Sequence, residues 1–135
     1  MESATNDPRV VPVLGAEVRH PIVHVQTFPA PAHVTIVRCT SDEVTSLCPV
    51  TAQPDLSHVE IEYEPAQLCV ESKSLKLYLW GFRDRAVFAE AMAAEIADEL
   101  MTTVRPRRVT VTLTQRPRGG ITVEAVAERR EPRSA

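Results

Sequence analysis

Aromatic side chains are scarce in this sequence. Phe, Trp and Tyr make up only 4% of 135 residues, too few for a platform that stacks single-stranded nucleic acid. A basic surplus is also missing: 15 Lys and Arg stand against 18 Asp and Glu, a net charge of -3, which argues against a protein built to grip duplex phosphates. No apolar run reaches the roughly 18 residues of a membrane span. The start, MESATNDPRVVPV, lacks the basic n-region and apolar core of a secretion signal, so a cytoplasmic protein without direct membrane or nucleic-acid contact is expected. The three cysteines, Cys39, Cys48 and Cys69, form no CxxC pair, so no zinc or other metal site is expected, and at least one thiol is free.

What remains is a foldable chain: 44% hydrophobic and 24% charged residues, at a length that suits one domain. Residues 1–31 carry five prolines and no helical period, and are expected to be an arm that orders only by packing on something else. Residues 128–135 read as a flexible tail, leaving a domain over 32–127. Within it the hydrophobic period switches twice. His33 to Cys39 alternates, as do Val59, Ile61 and Tyr63 against His58, Glu60 and Glu62, predicting two strands. Leu75, Tyr78, Leu79 and Phe82 then share one side of a helix, with Ser72 as its expected N-cap. A second helical stripe runs through Phe88, Met92, Ile96 and Leu100. After Pro106, Val109, Val111 and Leu113 alternate, followed by Ile121, Val123 and Ala125, with RPRGG between them as a hairpin connection. The order is ββααββ: an α+β fold with two helices on one face of an antiparallel four-stranded sheet. Its two open edges predict a ring-forming homo-oligomer.

Three segments carry chemistry. In TSLCPVTAQPD, residues 45–55, Cys48 precedes a proline and lies seven residues before Asp55. A buried small-hydrophobe cysteine beside a turn is the plain alternative. The hydroxyls and turn formers around it favour a loop thiol, with Asp55 able to give or take its proton. In ESKSLKLYLWGFR, residues 71–83, Lys73 and Lys76 lie one turn apart beside Trp80. They are either a solvated helix face or a site for a phosphate-bearing cofactor with a ring to stack. In FAE, Glu90 points away from the apolar stripe; a carboxylate in a first turn is by itself ordinary dipole chemistry.

Together TSLCPVTAQPD, CVESKSLKLYLWGFR, FAE and PRGGI resemble the 7-cyano-7-deazaguanine (preQ0) reductases, NADPH-dependent nitrile reductases of queuosine biosynthesis, in their single-module form. The resemblance runs from about His33 to about Val123 and implies the tunnelling fold, with ββααββ units assembled into stacked rings. It implies that Cys48 attacks the nitrile carbon to form a thioimide and that Asp55 protonates the nitrogen. Val70, Glu71, Ser72, Ala89 and Glu90 would contact the deazapurine, Glu90 by its ring N–H and exocyclic amine, and Lys73 and Lys76 would contact NADPH phosphates. The sequence departs from the family at Ala89, where a histidine is usual, at Ala52 in place of a glycine, at Gly81 in place of a serine and at Asp84-Arg85 in place of Asn-His. The competing readings are a thioimide-forming amidinotransferase, a reductase of an altered deazapurine and a non-catalytic deazapurine-binding ring. The ESKSLKLYL signature favours the first reading, a nitrile reductase.

Overall fold

The computed structural model describes residues 16–132, so the first part of the arm and the last three residues of the tail lie outside the described residues. In chain order the elements are β1 (Thr27–Pro29), β2 (Val37–Leu47), β3 (Pro54–Glu64), β4 (Leu68–Val70), α1 (Ser72–Trp80), α2 (Ala89–Thr103), β5 (Arg108–Arg118) and β6 (Ile121–Arg130). The four long strands form one antiparallel sheet in the order β2-β3-β5-β6, which is the expected α+β arrangement. β1 and β4 make a second, two-stranded antiparallel sheet that the sequence did not announce.

Alternation explains the central strands. Val59, Ile61 and Tyr63 of β3 and Val109, Val111 and Leu113 of β5 are at most 1% exposed and point to the helix-covered face. Burial of each such side chain contributes about 1.5–3 kcal/mol. α2 covers β5 and β6 with Ala89, Met92, Ala93, Ile96, Ala97 and Leu100. Phe88, expected on that stripe, instead occupies the N-cap position with extended backbone and is 55% exposed. The backbone on its N-terminal side is held to the sheet, where Val87 N–H donates to Leu47 O at 3.2 Å, so the helix begins only at Ala89.

Ser72, expected to cap the other helix, is its first residue. Glu71 is the cap, accepting from Lys73 N–H at 3.0 Å and Ser74 N–H at 2.6 Å. A carboxylate there satisfies two orphan donors and complements the helix dipole.

Part of the predicted arm packs on its own chain. Val25 is buried and its N–H donates to Glu99 Oε2 at 2.9 Å, Gln26 N–H donates to Ser74 Oγ at 2.9 Å, and β1 pairs with β4 from Thr27↔Val70 to Pro29↔Leu68. A three-residue strand is too short to show a period. At the other end β6 continues to Arg130, opposite Arg108, so residues 128–130 of the predicted tail are strand. The first strand starts at Val37 rather than His33 and runs through polar Thr40–Glu43 to Leu47, with a register shift between Ser41 and Val44 that interrupts its alternation. The RPRGG connection is a tight hairpin in which Gly119 (φ 59°) and Gly120 (φ 78°) link Arg118 to Ile121, a left-handed pair suited to glycine.

Candidate active site

The β2–β3 connection is short because the two strands close on each other at Leu47↔Pro54 and Ser46↔Asp55. Cys48 N–H donates to Gln53 O and Ala52 N–H donates to Cys48 O, both at 2.9 Å, which folds residues 48–53 into one turn. Cys48 therefore sits in a loop, at intermediate exposure. Hydrogen bonds from the Thr51 hydroxyl and from the backbone N–H groups of Thr51 and Val50 pull its thiol pKa below the ordinary value, against weaker opposition from burial and from the Asp55 charge. Cys39, on β2, is shifted the other way, by burial first and then by Cys69. Cys69 is buried in β4. Between Cys48 and Cys39, the direction of the shifts favours the thiolate at Cys48.

Asp55 is the second residue of β3 and only 9% exposed, on the same face as Ser57 and Val59. Arg118, at the end of β5, places Nε 3.2 Å from its Oδ1. The same guanidinium donates to Gln53 Oε1 at 3.2 Å and to the Pro54 carbonyl, so one cation ties the hairpin to the cysteine turn. Neither Arg118 nor Thr51 was singled out from sequence. Both lie inside motifs noted there, PRGGI and TSLCPVTAQPD, and that was the available signal.

The segment that leads into the helix bearing Glu90 is bonded to the strand end before Cys48. Leu47 N–H donates to Arg85 O at 2.8 Å and Leu47 bridges Ala86 in parallel, so the segment entering α2 is bound to the residue before Cys48. Glu90 is exposed in the first turn of α2, as its position off the stripe predicts. Ala89 is 2% exposed and packs in the core.

The remaining predicted residues gather where α1 begins. Val70 is buried and its N–H donates to Tyr63 Oη at 2.9 Å; Glu71 caps the helix; Ser72 is exposed. Lys73 donates to the Ala16 carbonyl. Lys76 and Trp80 are exposed and, with Ser72, line a cavity of about 710 Å³ between α1 and β2 whose wall includes Thr40, Val44 and Leu75. Cys48, Asp55 and Glu90 are not part of it. Cys48 and Asp55 thus flank the β2–β3 turn, Glu90 lies in the first turn of the helix whose lead-in segment is bonded to Leu47, and Ser72 and Lys76 line the cavity beside α1.

The chain matches the family model described as QueF-like protein over residues 54–134. It is 43% identical to the NADPH-dependent 7-cyano-7-deazaguanine reductase of Alkalilimnicola ehrlichii over 83% of this chain and 88% of that protein. It is also 43% identical to the reductase of the same name from Nitrosococcus oceani, over 80% of this chain and 85% of that one. Among solved structures it is similar to the apo form of the archaeosine synthase QueF-Like, with a TM-score of 0.67 at 27% identity, covering 70% of this chain and 93% of that one.

Proposed function

The chain belongs to the QueF-like family, and from that premise we propose that it is an NADPH-dependent reductase of 7-cyano-7-deazaguanine. It converts the nitrile to the aminomethyl group in queuosine biosynthesis, the pathway of a tRNA modification. The observation that carries this reading is the Cys48 turn: a thiol with lowered pKa, an aspartate seven residues on within its electrostatic reach, and a helix beginning beside it with Glu90 exposed.

A nitrile is a weak hydride acceptor, and thiolate addition makes it a better one. Cys48 Sγ bonds to the nitrile carbon, and the thiol proton, carried by Asp55, ends on the nitrogen, giving a thioimide. The Glu90 carboxylate accepts from the ring N–H and exocyclic amine of the base, two charge-assisted hydrogen bonds that select a guanine-like edge. NADPH supplies the hydride, two equivalents for each nitrile reduced to an amine. Lys76 and Trp80, exposed on one cavity between α1 and β2, fit a phosphate and a flat ring, and Lys73 lies one turn before Lys76 on the same helix.

The proposed assembly is a homo-oligomeric ring that pairs the edge strands β2 and β6, with a second copy contributing to each site. The proposed setting is the cytoplasm. Among the described residues no helix is long and apolar enough to cross a membrane, and all three cysteines are unpaired, in keeping with a reducing compartment.

The test mixes the protein with 7-cyano-7-deazaguanine and NADPH and follows the nicotinamide absorbance together with product mass. Oxidation of two NADPH for each primary amine formed is the expected result. Amidine formation with ammonia and no NADPH loss would make the protein a transferase, and binding without covalent chemistry would make it a ring-forming binding protein.

A further inference from the structure

We propose that Ser46 and Ser57 are positioning residues for Asp55, their inward hydroxyls, unpartnered in the resting structure, turning to its carboxyl group only as it carries the proton from Cys48 to the substrate nitrogen. The inference rests on the nitrile-addition reading and extends it to two residues outside the motif roles assigned above. Ser46 Oγ and Ser57 Oγ are buried and have no hydrogen-bond partner among the described residues; the residues are 0% and 3% exposed. A buried hydroxyl without a partner destabilises a fold, so two beside one carboxylate call for an account.

Their placement supplies it. Ser46 is the cross-strand partner of Asp55, and partners on one face have Cβ atoms about 4.5–5.5 Å apart. Ser57 follows Asp55 by two residues on β3, on the same face and about 6.6 Å along the strand. Rotation of each hydroxyl between ordinary serine rotamers is the motion that the proposal requires. Arg118 occupies Oδ1 from the solvent side, which leaves Oδ2 for a second donor.

Among the described residues no side chain of α2 bonds either hydroxyl. α2 leads into β5 at the Glu64 end of the sheet and, at about 22 Å for 15 residues, reaches back to the Ser57↔Gln115 end, where it opens with the methyl group of buried Ala89. In the addition step the S–H bond breaks as S–C forms, and the proton passes through Asp55 to nitrogen with no net change on the carboxyl group. The serines retain their own protons and only aim the group that moves the other.

The test follows adduct formation by intact mass after rapid mixing of the full chain with 7-cyano-7-deazaguanine in the absence of NADPH. Wild type is compared with Ser46→Ala, Ser57→Ala and Ser46→Thr. Each alanine variant is expected to lower the rate constant at saturating nitrile about tenfold with the half-saturating concentration unchanged, and Ser46→Thr to recover it to within about twofold. The alanine variants should melt no lower than wild type, since each removes an unpaired buried hydroxyl. Alanine variants as fast as wild type, or a threonine variant as slow as alanine, overturn the serine assignment while leaving nitrile addition intact. A wild-type protein that forms no adduct overturns nitrile addition and the serine assignment with it.

Discussion

Arg118 Nε stands 3.2 Å from Asp55 Oδ1, joining the end of β5 to the start of β3 beside the cysteine turn. The pair is positional before it is energetic. Arg118 is about half exposed, and such ion pairs contribute about 0–1 kcal/mol. Arg118→Ala should therefore leave the urea midpoint nearly unchanged, yet slow Cys48 adduct formation about tenfold, because Asp55 and the Gln53–Pro54 backbone lose a common anchor. Equal rates in the two proteins would reduce Arg118 to a surface contact.

Cys48 should form a covalent adduct with 7-cyano-7-deazaguanine before any NADPH is added. Intact mass should show the shift in wild type and in Cys39→Ser, and none in Cys48→Ala. Cys69 is buried in β4, so it should not react in the folded protein.

The pH profile of alkylation separates the thiols. A lowered pKa means that Cys48 is already thiolate at a pH where an ordinary cysteine is still protonated, so its iodoacetamide rate should reach half-maximum at lower pH than a free cysteine, and Cys39 at higher pH. Thr51→Val removes the largest cause of the Cys48 shift and should move that midpoint upward. A midpoint that does not move would show that the Thr51 hydroxyl is not its partner.

Glu90→Ala should weaken binding of the deazapurine by about 1.5–3 kcal/mol while changing stability by no more than about 0.3–1 kcal/mol, because Glu90 is an exposed carboxylate in the first turn of α2, where it complements the helix dipole. Calorimetric titration on a Cys48→Ala background, beside a melting curve, measures both. A collapse in melting temperature with affinity retained would make Glu90 structural.

Ala52 has φ 60°, the left-handed region in which a Cβ is strained. Ala52→Gly relieves that strain and gives back some unfolded-state entropy, so a net gain of up to about 1 kcal/mol is expected by urea titration. Net destabilisation would show that the turn tolerates the methyl group without strain.

Local period and local chemistry were legible along the chain. Alternation in Val59–Tyr63 and Val109–Leu113 and the helical spacing of Leu75, Tyr78 and Leu79 were enough for ββααββ, since each pattern has one face to bury. The hydroxyl-rich Cys48 segment was readable as a loop, and Glu90 as exposed, for the same reason. Tertiary structure alone decided what depends on partners distant in the chain. β1 exists because β4 offers it backbone groups, and the arm is held by Glu99 and Ser74, contacts with no local signature. Phe88 left the apolar stripe because Leu47 holds Val87 in extended backbone, and Glu71 rather than Ser72 became the cap because its longer carboxylate reaches back to two N–H groups. The site divides in the same way. Cys48 and Asp55 flank one turn and could be paired from sequence, whereas the Arg118 contact, the Leu47–Ala86 bridge and the burial of Ser46 and Ser57 arise only when segments distant in the chain are set side by side.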